Sequence, residues 1–518
     1  MMNKTLKSLI LLFFLFNIVD LIAQKHDYNW LLGYDSDLNF EGAEAMLLNF
    51  NDDPVSVNPI VTSAGFYVSS AMVSNEEGEL LLYTDGCKVV NSNDQTVENG
   101  DSINIGEVYE SQCDDSGVGL SFGYVAGRQG SLFLPAPSSD SLYYLLHKKV
   151  IHIFEPVFDV IVVGLYYTLI DVAANGGAGR VIAKNIPVIE EELTYGQITA
   201  TKHANGRDWW ILTAGNTNNL YYSILLTPEG FDTILVAEHE HAFSDGGQAK
   251  FSPDGQYYAR YNSTEGLLTF RFNRTTGQLS DEQFFPIYNE TLSDGVAFSP
   301  NSQLLYVSAH DTIYQYDMTA LDIGASRQTV AVYDGNTEIF QTTFHTAQLA
   351  PDCKIYIGTF ANVKTLHVIH NPNERGTACG VEQHALDLPY WHDKTIPYFP
   401  NYRLGPLIEG EPAEPPCEGE FVVADEEVSL PEGKAFAVFP NPASHAFTVA
   451  LDGPLPEEAV FSLYNMAGVQ VQSARLEPGS RVMQVEVGGL PPGLYIGVLR
   501  TEAGRLLGRR KVVINRKM

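Results

Sequence analysis

Phe251-Ser252-Pro253-Asp254-Gly255, followed by Tyr257-Tyr258-Ala259, decides the fold because the unit returns twice downstream. It reappears as Phe298-Ser299-Pro300-Asn301-Ser302 before Leu304-Leu305-Tyr306-Val307, and as Leu349-Ala350-Pro351-Asp352-Cys353 before Ile355-Tyr356-Ile357. Pro with Asp or Asn sets a tight turn, Gly supplies a permissive backbone, and the β-branched and aromatic run fits a pleated, buried strand. Looser copies lie upstream: Ala204-Asn205-Gly206 before Trp209-Trp210-Ile211-Leu212, Pro137-Ser138-Ser139 before Leu142-Tyr143-Tyr144-Leu145, and Asn75-Glu76-Glu77-Gly78 before Leu80-Leu81-Leu82-Tyr83. Aligned on the last turn residue, the units fall at 78, 139, 206, 255, 302 and 353, with spacings of 61, 67, 49, 47 and 51.

A second strand usually follows each copy, as in Leu267 to Phe272, Thr312 to Tyr316 and Thr365 to Ile369, and long amphipathic helical patterns are absent. A repeat near 50 residues with about four short strands per unit predicts an all-β protein, a β-propeller whose blades pack face to face. A pair of β-sandwiches would also alternate strands and turns, but without a turn motif at a steady interval. Six visible units, plus one made by joining Tyr28–Phe50 with Leu386–Leu404, give about seven blades, with six or eight as the neighbouring counts. The two long spacings place insertions around Asp101 to Gly130 and Val150 to Gly164, the kind of extra length in which functional loops are found.

The 518 residues hold 31 Lys and Arg against 63 Asp and Glu, a net charge of −32, which argues against tracking a nucleic-acid backbone. With 45% hydrophobic residues, 27 Tyr and 27 Phe, the chain is too apolar for an acidic disordered tail. Charge divides it: residues 431–518 carry 7 acids and 10 bases, whereas residues 24–430 carry a net −36. Opposite signs predict separate domains with separate jobs.

Lys4 and Lys7 followed by the apolar run Leu9 to Phe16, with Ile18 and Val19, read as a cleaved signal peptide over 1–23, cut between Ala23 and Gln24. Asn17 and Asp20 interrupt the run before it reaches the roughly 20 residues of a spanning helix, and no other stretch approaches that length, so no transmembrane segment is expected after cleavage. The five cysteines are Cys87, Cys113, Cys353, Cys379 and Cys417, an odd number that leaves one thiol unpaired or intermolecular. Proximity suggests Cys87 with Cys113 and Cys379 with Cys417, and the lack of a Cys-x-x-Cys pair argues against a thiolate zinc site.

The domains expected are thus a propeller over 24–408, a linker rich in Pro and Glu over 409–434, and a last module over 435–518. That module alternates strands with Gly and Pro punctuation, which predicts a small Ig-like β-sandwich. Its motifs, in order, are Phe439-Pro440-Asn441-Pro442, Asn465-Met466-Ala467-Gly468, Gly493-Leu494-Tyr495 and Lys511-Val512-Val513. They closely resemble the C-terminal sorting domain of the type IX secretion system. The resemblance implies a sorting signal at Pro440, Asn441, Pro442, Gly468, Gly493, Tyr495, Lys511 and Val513. It also implies the type IX machinery as partner and a route through the periplasm to the cell surface or medium, with the linker as the place for a processing cut. The propeller resembles exported WD-repeat-like propellers that often carry this domain. That likeness rests on Gly130 to Pro135, Lys202 to Trp210, Phe251 to Gly255 and Asn401-Tyr402-Arg403-Leu404-Gly405-Pro406, and it implies fold and route without a chemistry.

Glu238-His239-Glu240-His241 is the leading metal candidate, because His239 and His241, two residues apart on a strand, point to one face. A pair of solvated histidines is the plainer reading, since no third ligand can be named. His203, His310, Asp311 and His345 lie near blade turns, where polar side chains usually satisfy backbone groups. Asp114 and Asp115 could hold calcium but lack Asp-x-Asp-x-Asp-Gly spacing, and Trp209 and Trp210 could offer one stacking ring. Ser252-Pro253-Asp254-Gly255 departs from the Ser-x-Asp-x-Gly turn of sialidases, and no nucleophile elbow, phosphate loop or dinucleotide fingerprint occurs. No cofactor is required by the sequence. Two functions stand: a non-enzymatic platform for an extracellular protein or carbohydrate, and a hydrolase or lyase whose residues converge in the channel from several blades.

Overall fold

Each of the six turn units joins the first two strands of a small antiparallel sheet in the computed structural model. The structure describes residues 24–407 and 436–515, apart from 35–41, 43, 67, 114–122, 138, 156–157, 242–245, 289–293 and 395, and 440–442, 444, 452–457, 466–469 and 502–505. The signal-peptide span 1–23, the linker 409–434 with Cys417, Asp114, Asp115, Pro440, Asn441, Pro442 and Gly468 lie outside the described residues. The chain divides into two compact units between Gly419 and Glu420.

Among the described residues of the first unit there are seven sheets. Sheet 1 is Asn29–Gly33, Ala45–Asn49 and Ser56–Ile60; sheet 2 is Ala71–Ser74, Leu80–Thr84 and Val89–Asn91. Sheet 3 is Ser131–Pro135, Leu142–Ile153, Asp159–Asp171 and Arg180–Ile189; sheet 4 is Thr199–Lys202, Trp209–Ala214, Leu220–Thr227 and Gly230–Glu238. Sheet 5 is Gln248–Phe251, Tyr257–Asn262, Gly266–Phe272 and Leu279–Phe285; sheet 6 is Gly295–Phe298, Leu304–Ala309, Thr312–Asp317 and Gln328–Val332. Sheet 7 is Phe344–Leu349, Ile355–Thr359, Val363–Ile369 and Val381–His392.

The turn chemistry explains why the motif recurs. Ser252 Oγ accepts the Tyr257 N–H at 2.9 Å, Asp254 Oδ1 accepts the Gln256 N–H at 3.0 Å, and Gly255 sits at φ +70°. In sheet 6, Ser299 and Asn301 repeat both bonds at 2.9 and 3.1 Å, and Ser302 takes φ +60°. Gly78, Gly206 and Cys353 hold the same left-handed position, so the repeat marks the one backbone angle that lets the chain reverse there.

Consecutive sheets bury their faces against each other. Tyr257, Tyr261 and Leu267 of sheet 5 pack on Val296, Phe298, Leu305 and Val307 of sheet 6, and Tyr306 and Ile313 of sheet 6 pack with Phe344, Ile355 and Ile357 of sheet 7. Each such aromatic or aliphatic side chain stabilises the fold by roughly 1.5–3 kcal/mol when fully buried. Trp30 of sheet 1 meets Tyr356 of sheet 7 edge to face at 5.6 Å, which closes the ring and makes the unit a seven-bladed propeller.

The joined blade differs from expectation. Leu386 to His392 belongs to the outer strand of sheet 7, and sheet 1 is hydrogen-bonded from residues 29–60 alone. Residues 396–404 form no ladder but pack along sheet 1, with Phe399 6.1 Å from Trp30 and Tyr402 5.1 Å from His26. Pro397 and Pro400 lack the N–H that a ladder needs.

The insertion between 101 and 130 contains a short helix, Glu107–Gln112, and Cys113 after it is disulfide-bonded to Cys87. The one at 150–164 lengthens the central hairpin of sheet 3. Cys379 is a buried free thiol and Cys353 is disulfide-bonded, so the pairing of Cys379 with Cys417 does not form. The Cys379 thiol is sunk beside Tyr306 in the core of sheets 6 and 7.

The second unit packs Phe436–Phe439, Ala446–Leu451 and Val482–Glu486 against a sheet ordered Gln470–Leu476, Ala459–Asn465, Gly493–Thr501 and Leu506–Ile514. Phe436, Phe447, Val449, Phe461, Leu463, Leu499 and Val512 fill the space between these sheets, a small sandwich. Among the described residues no helix is long and apolar enough to cross a membrane.

Candidate functional site

A propeller's innermost strands each leave one edge of N–H and C=O groups facing the axis, and those groups need partners. Glutamine can answer both at once, since its carboxamide carries a donor and an acceptor. Gln129, before the inner strand of sheet 3, reaches Ala249 in sheet 5, donating to its carbonyl and accepting its N–H at 2.8 Å each. Gln248 does the same to Ala347 in sheet 7 at 2.8 and 3.0 Å and also accepts the Val296 N–H of sheet 6 at 2.8 Å. Lys148 Nζ donates to the carbonyls of Thr194 and Gly196 at 2.5 and 2.6 Å. The channel is therefore laced by side chains that serve the backbone.

The segment that ends the propeller completes the closure. Tyr398 bonds to the backbone of Ser131, Asn401 Nδ2 donates to the Pro253 carbonyl at 2.8 Å, and Tyr402 donates to the Phe133 carbonyl at 2.9 Å. Arg403 meets Asp27 through two bonds of 2.6 and 2.9 Å, Arg274 donates to the Gly405 carbonyl at 2.6 Å, and Leu407 N–H reaches Ala204 O at 2.8 Å. Tyr398 to Leu407, of which Asn401 to Pro406 is legible in the sequence as a family motif, ties sheets 3, 4 and 5 to the segment that leads into sheet 1.

At the start of the inner strands, Arg128 pairs with Asp294 at 3.2 Å, and His345 Nδ1 accepts the Asp294 N–H at 3.2 Å. Complete burial holds His345 well below the usual imidazole range, so the ring is neutral. His310 lies on the neighbouring sheet, its N–H acceptor work done by the backbone: its carbonyl takes the Phe344 N–H at 2.8 Å. His203 sits apart, in the turn after Lys202, where its Nδ1 accepts the Asn205 N–H at 3.1 Å. Asp311 accepts the Thr312 hydroxyl at 3.0 Å.

His239 and His241 follow the end of the outer strand at Glu238 rather than lying on it, and both Nδ1 atoms point at one carboxylate, Glu282 of the next sheet, at 3.5 and 2.7 Å. Glu282 also accepts the N–H groups of Glu240 and His241 at 2.8 and 3.0 Å. Packing of His239 against Tyr221 and Phe270 lowers its pKa by desolvation, while the Glu282 charge opposes that shift. The arrangement clasps the outer edges of sheets 4 and 5. Among the described residues no group of three or more His, Cys, Asp and Glu is placed to hold a metal ion.

Neither tryptophan is a stacking platform. Trp209 and Trp210 are both buried, donating to the carbonyls of Pro135 and Arg274 at 3.1 and 2.8 Å. Exposed rings occur instead at the tip of the long hairpin, where Phe154 and Phe158 lie 5.7 Å apart and both touch His152. They are 62% and 57% exposed, beside Ile151. Tyr124, in the other insertion, accepts the Val150 N–H at 2.8 Å and so anchors the hairpin's base.

In the second unit, Tyr495 is buried and donates to the Pro491 carbonyl at 2.7 Å, with Gly493 and Tyr495 beginning the strand that pairs through Val513 and Val512 to the last one. Residues 437–515 match the family described as a secretion system C-terminal sorting domain. The chain carries a type IX sorting domain at its C-terminus. This domain marks the protein for export to the cell surface or the medium.

No curated protein sequence matches the chain. Solved structures similar to this chain include a functionally unknown protein from Desulfotomaculum acetoxidans, at 14% identity, TM-score 0.39, covering 72% of this chain and 99% of that one. The β-propeller domain of Cps50 (Swd1) from Myceliophteria thermophila is similar at 12% identity, TM-score 0.36, covering 63% of this chain and 92% of that one. A protein from Lactobacillus plantarum is similar at 9% identity, TM-score 0.36, covering 89% and 100%.

Proposed function

We propose that the exported propeller is a non-enzymatic platform that binds a protein or carbohydrate outside the cell, using the inserted loops. The observation that carries this reading is the division of labour between axis and rim. Gln129, Gln248 and the segment around Tyr402 spend the axial polar groups on backbone, while Phe154, Phe158 and His152 form an exposed aromatic cluster on an anchored hairpin. Exposed rings of that kind mark interaction sites on otherwise polar surfaces. A hydrolase or lyase in the channel would call for several carboxylates and imidazoles meeting there, whereas Asp294 beside His345 is already paired with Arg128.

The mature protein should bind saturably to a component of an immobilised glycan panel or to a surface protein captured by crosslinking. Replacing Phe154 and Phe158 with Ala should weaken that binding at least tenfold without moving the melting temperature. Turnover of a glycan or peptide by the mature protein, or binding indifferent to both rings, would overturn the reading. Delivery is separate: removing residues 431–518 should leave the propeller in the periplasm, and finding it still exported would refute the role of the last module.

A further inference from the structure

Three lysines are buried near the axis, and they differ in what their amines meet. Lys148 is saturated by two carbonyls, and Lys202 lies 3.8 Å over the Trp209 ring with the Arg207 carbonyl at 3.4 Å. Lys250, on the inner strand of sheet 5 and only 7% exposed, donates to Gln348 Oε1, which also accepts the Phe399 N–H at 3.1 Å. Lys250 lines a small cleft open to solvent. Phe251, Phe298, Leu349 and Phe399 supply apolar walls, and Asp27 with Arg403 forms an edge already neutralised by its own ion pair.

We propose that Lys250 is a reactive amine that captures a small aldehyde or ketone in this cleft as a Schiff base. The amine lone pair attacks the carbonyl carbon and one N–H proton passes to the oxygen, giving a carbinolamine; the second N–H proton then goes to that hydroxyl, which leaves as water as the nitrogen lone pair closes the C=N bond. No redox partner is needed. Burial favours the neutral amine and pulls the Lys250 pKa down to about 7. A surface lysine near 10.4 is almost wholly protonated at neutral pH, so its nucleophilic fraction is smaller by orders of magnitude. The apolar walls favour a carbonyl compound of a few carbons over a sugar.

The test uses the intact mature protein with no substitution. It is treated at pH 7 with propanal and sodium cyanoborohydride, which reduces any imine to a stable secondary amine, and propylated lysines are mapped by peptide mass spectrometry at low conversion. Lys250 should be modified at least about tenfold faster than the median exposed lysine, with a rate that levels off above pH 7 while the others keep rising. Labelling of Lys250 at or below the surface rate, or a profile that climbs past pH 9 like theirs, would overturn the proposal. Lys250→Met should abolish the fast site and leave the slow ones, and the wild-type profile decides the matter even if that variant does not fold.

Discussion

Gln248 and Ala347, 99 residues apart and two sheets apart around the ring, are joined by a two-way bond between carboxamide and backbone. The side chain stands where a further strand would, giving the inner edge of sheet 7 a partner. Gln248→Leu keeps the volume but strands the Ala347 N–H and C=O and the Val296 N–H in the interior. Each buried group left unpaired costs about 1–3 kcal/mol. With three groups stranded the expected loss is at least about 3 kcal/mol by denaturant unfolding, and a midpoint equal to wild type would refute the lacing.

Asp27 and Arg403 tie the beginning of the propeller to its end, with side chains 5% and 9% exposed. Asp27→Asn removes the charge but keeps the shape, leaving a buried guanidinium without its counter-ion, which costs roughly 3–5 kcal/mol. The double variant Asp27→Leu with Arg403→Met should be more stable than Asp27→Asn alone, because it buries no charge. Equal stabilities across the cycle would show that the pair is dispensable for closure.

Acid should weaken the fold through histidines buried in the neutral form. Burial lowers His26 to about 4, and His147 and His367 to about 3. The unfolded chain titrates near 6.5, so between 6.5 and those values it binds more protons than the native state, and stability is lost as pH falls. Each histidine contributes up to about 1.4 kcal/mol per pH unit in that window. Lys202 and Lys250, lowered to about 7 by burial, extend the trend: their contribution grows from pH 7 toward 10.5. Melting temperatures should climb from pH 4.5 to 8, less steeply in His147→Gln, and a flat profile would contradict the assignment.

What the sequence disclosed was what recurs locally. The turn at Ser252 to Gly255 uses its own residues to satisfy its own backbone, so its spacing counted the blades. Alternation put His239 and His241 on one strand face, yet the strand ends at Glu238, and what brings the two rings together is Glu282, 41 residues beyond His241 on another sheet. Alternation misled at Trp209 and Trp210 because a propeller sheet is covered on both faces, leaving no solvent side for one ring. Gln129 and Gln248 could not be singled out, because a glutamine that laces a channel looks like any other until the opposite backbone is in place.

Cysteine chemistry offers a separate check on the ring. Cys87 and Cys113 enclose a 26-residue separation that carries the short helix, a link whose loss is expected to cost about 3 kcal/mol in the chain-entropy account. Burial raises the Cys379 thiol, so it should resist alkylation in the native protein and react only after unfolding. Cys353 is disulfide-bonded as well. Non-reducing peptide maps should therefore show the Cys87–Cys113 crosslink and leave Cys379 uncrosslinked. A map with Cys379 crosslinked would contradict the free thiol buried in the core of sheets 6 and 7.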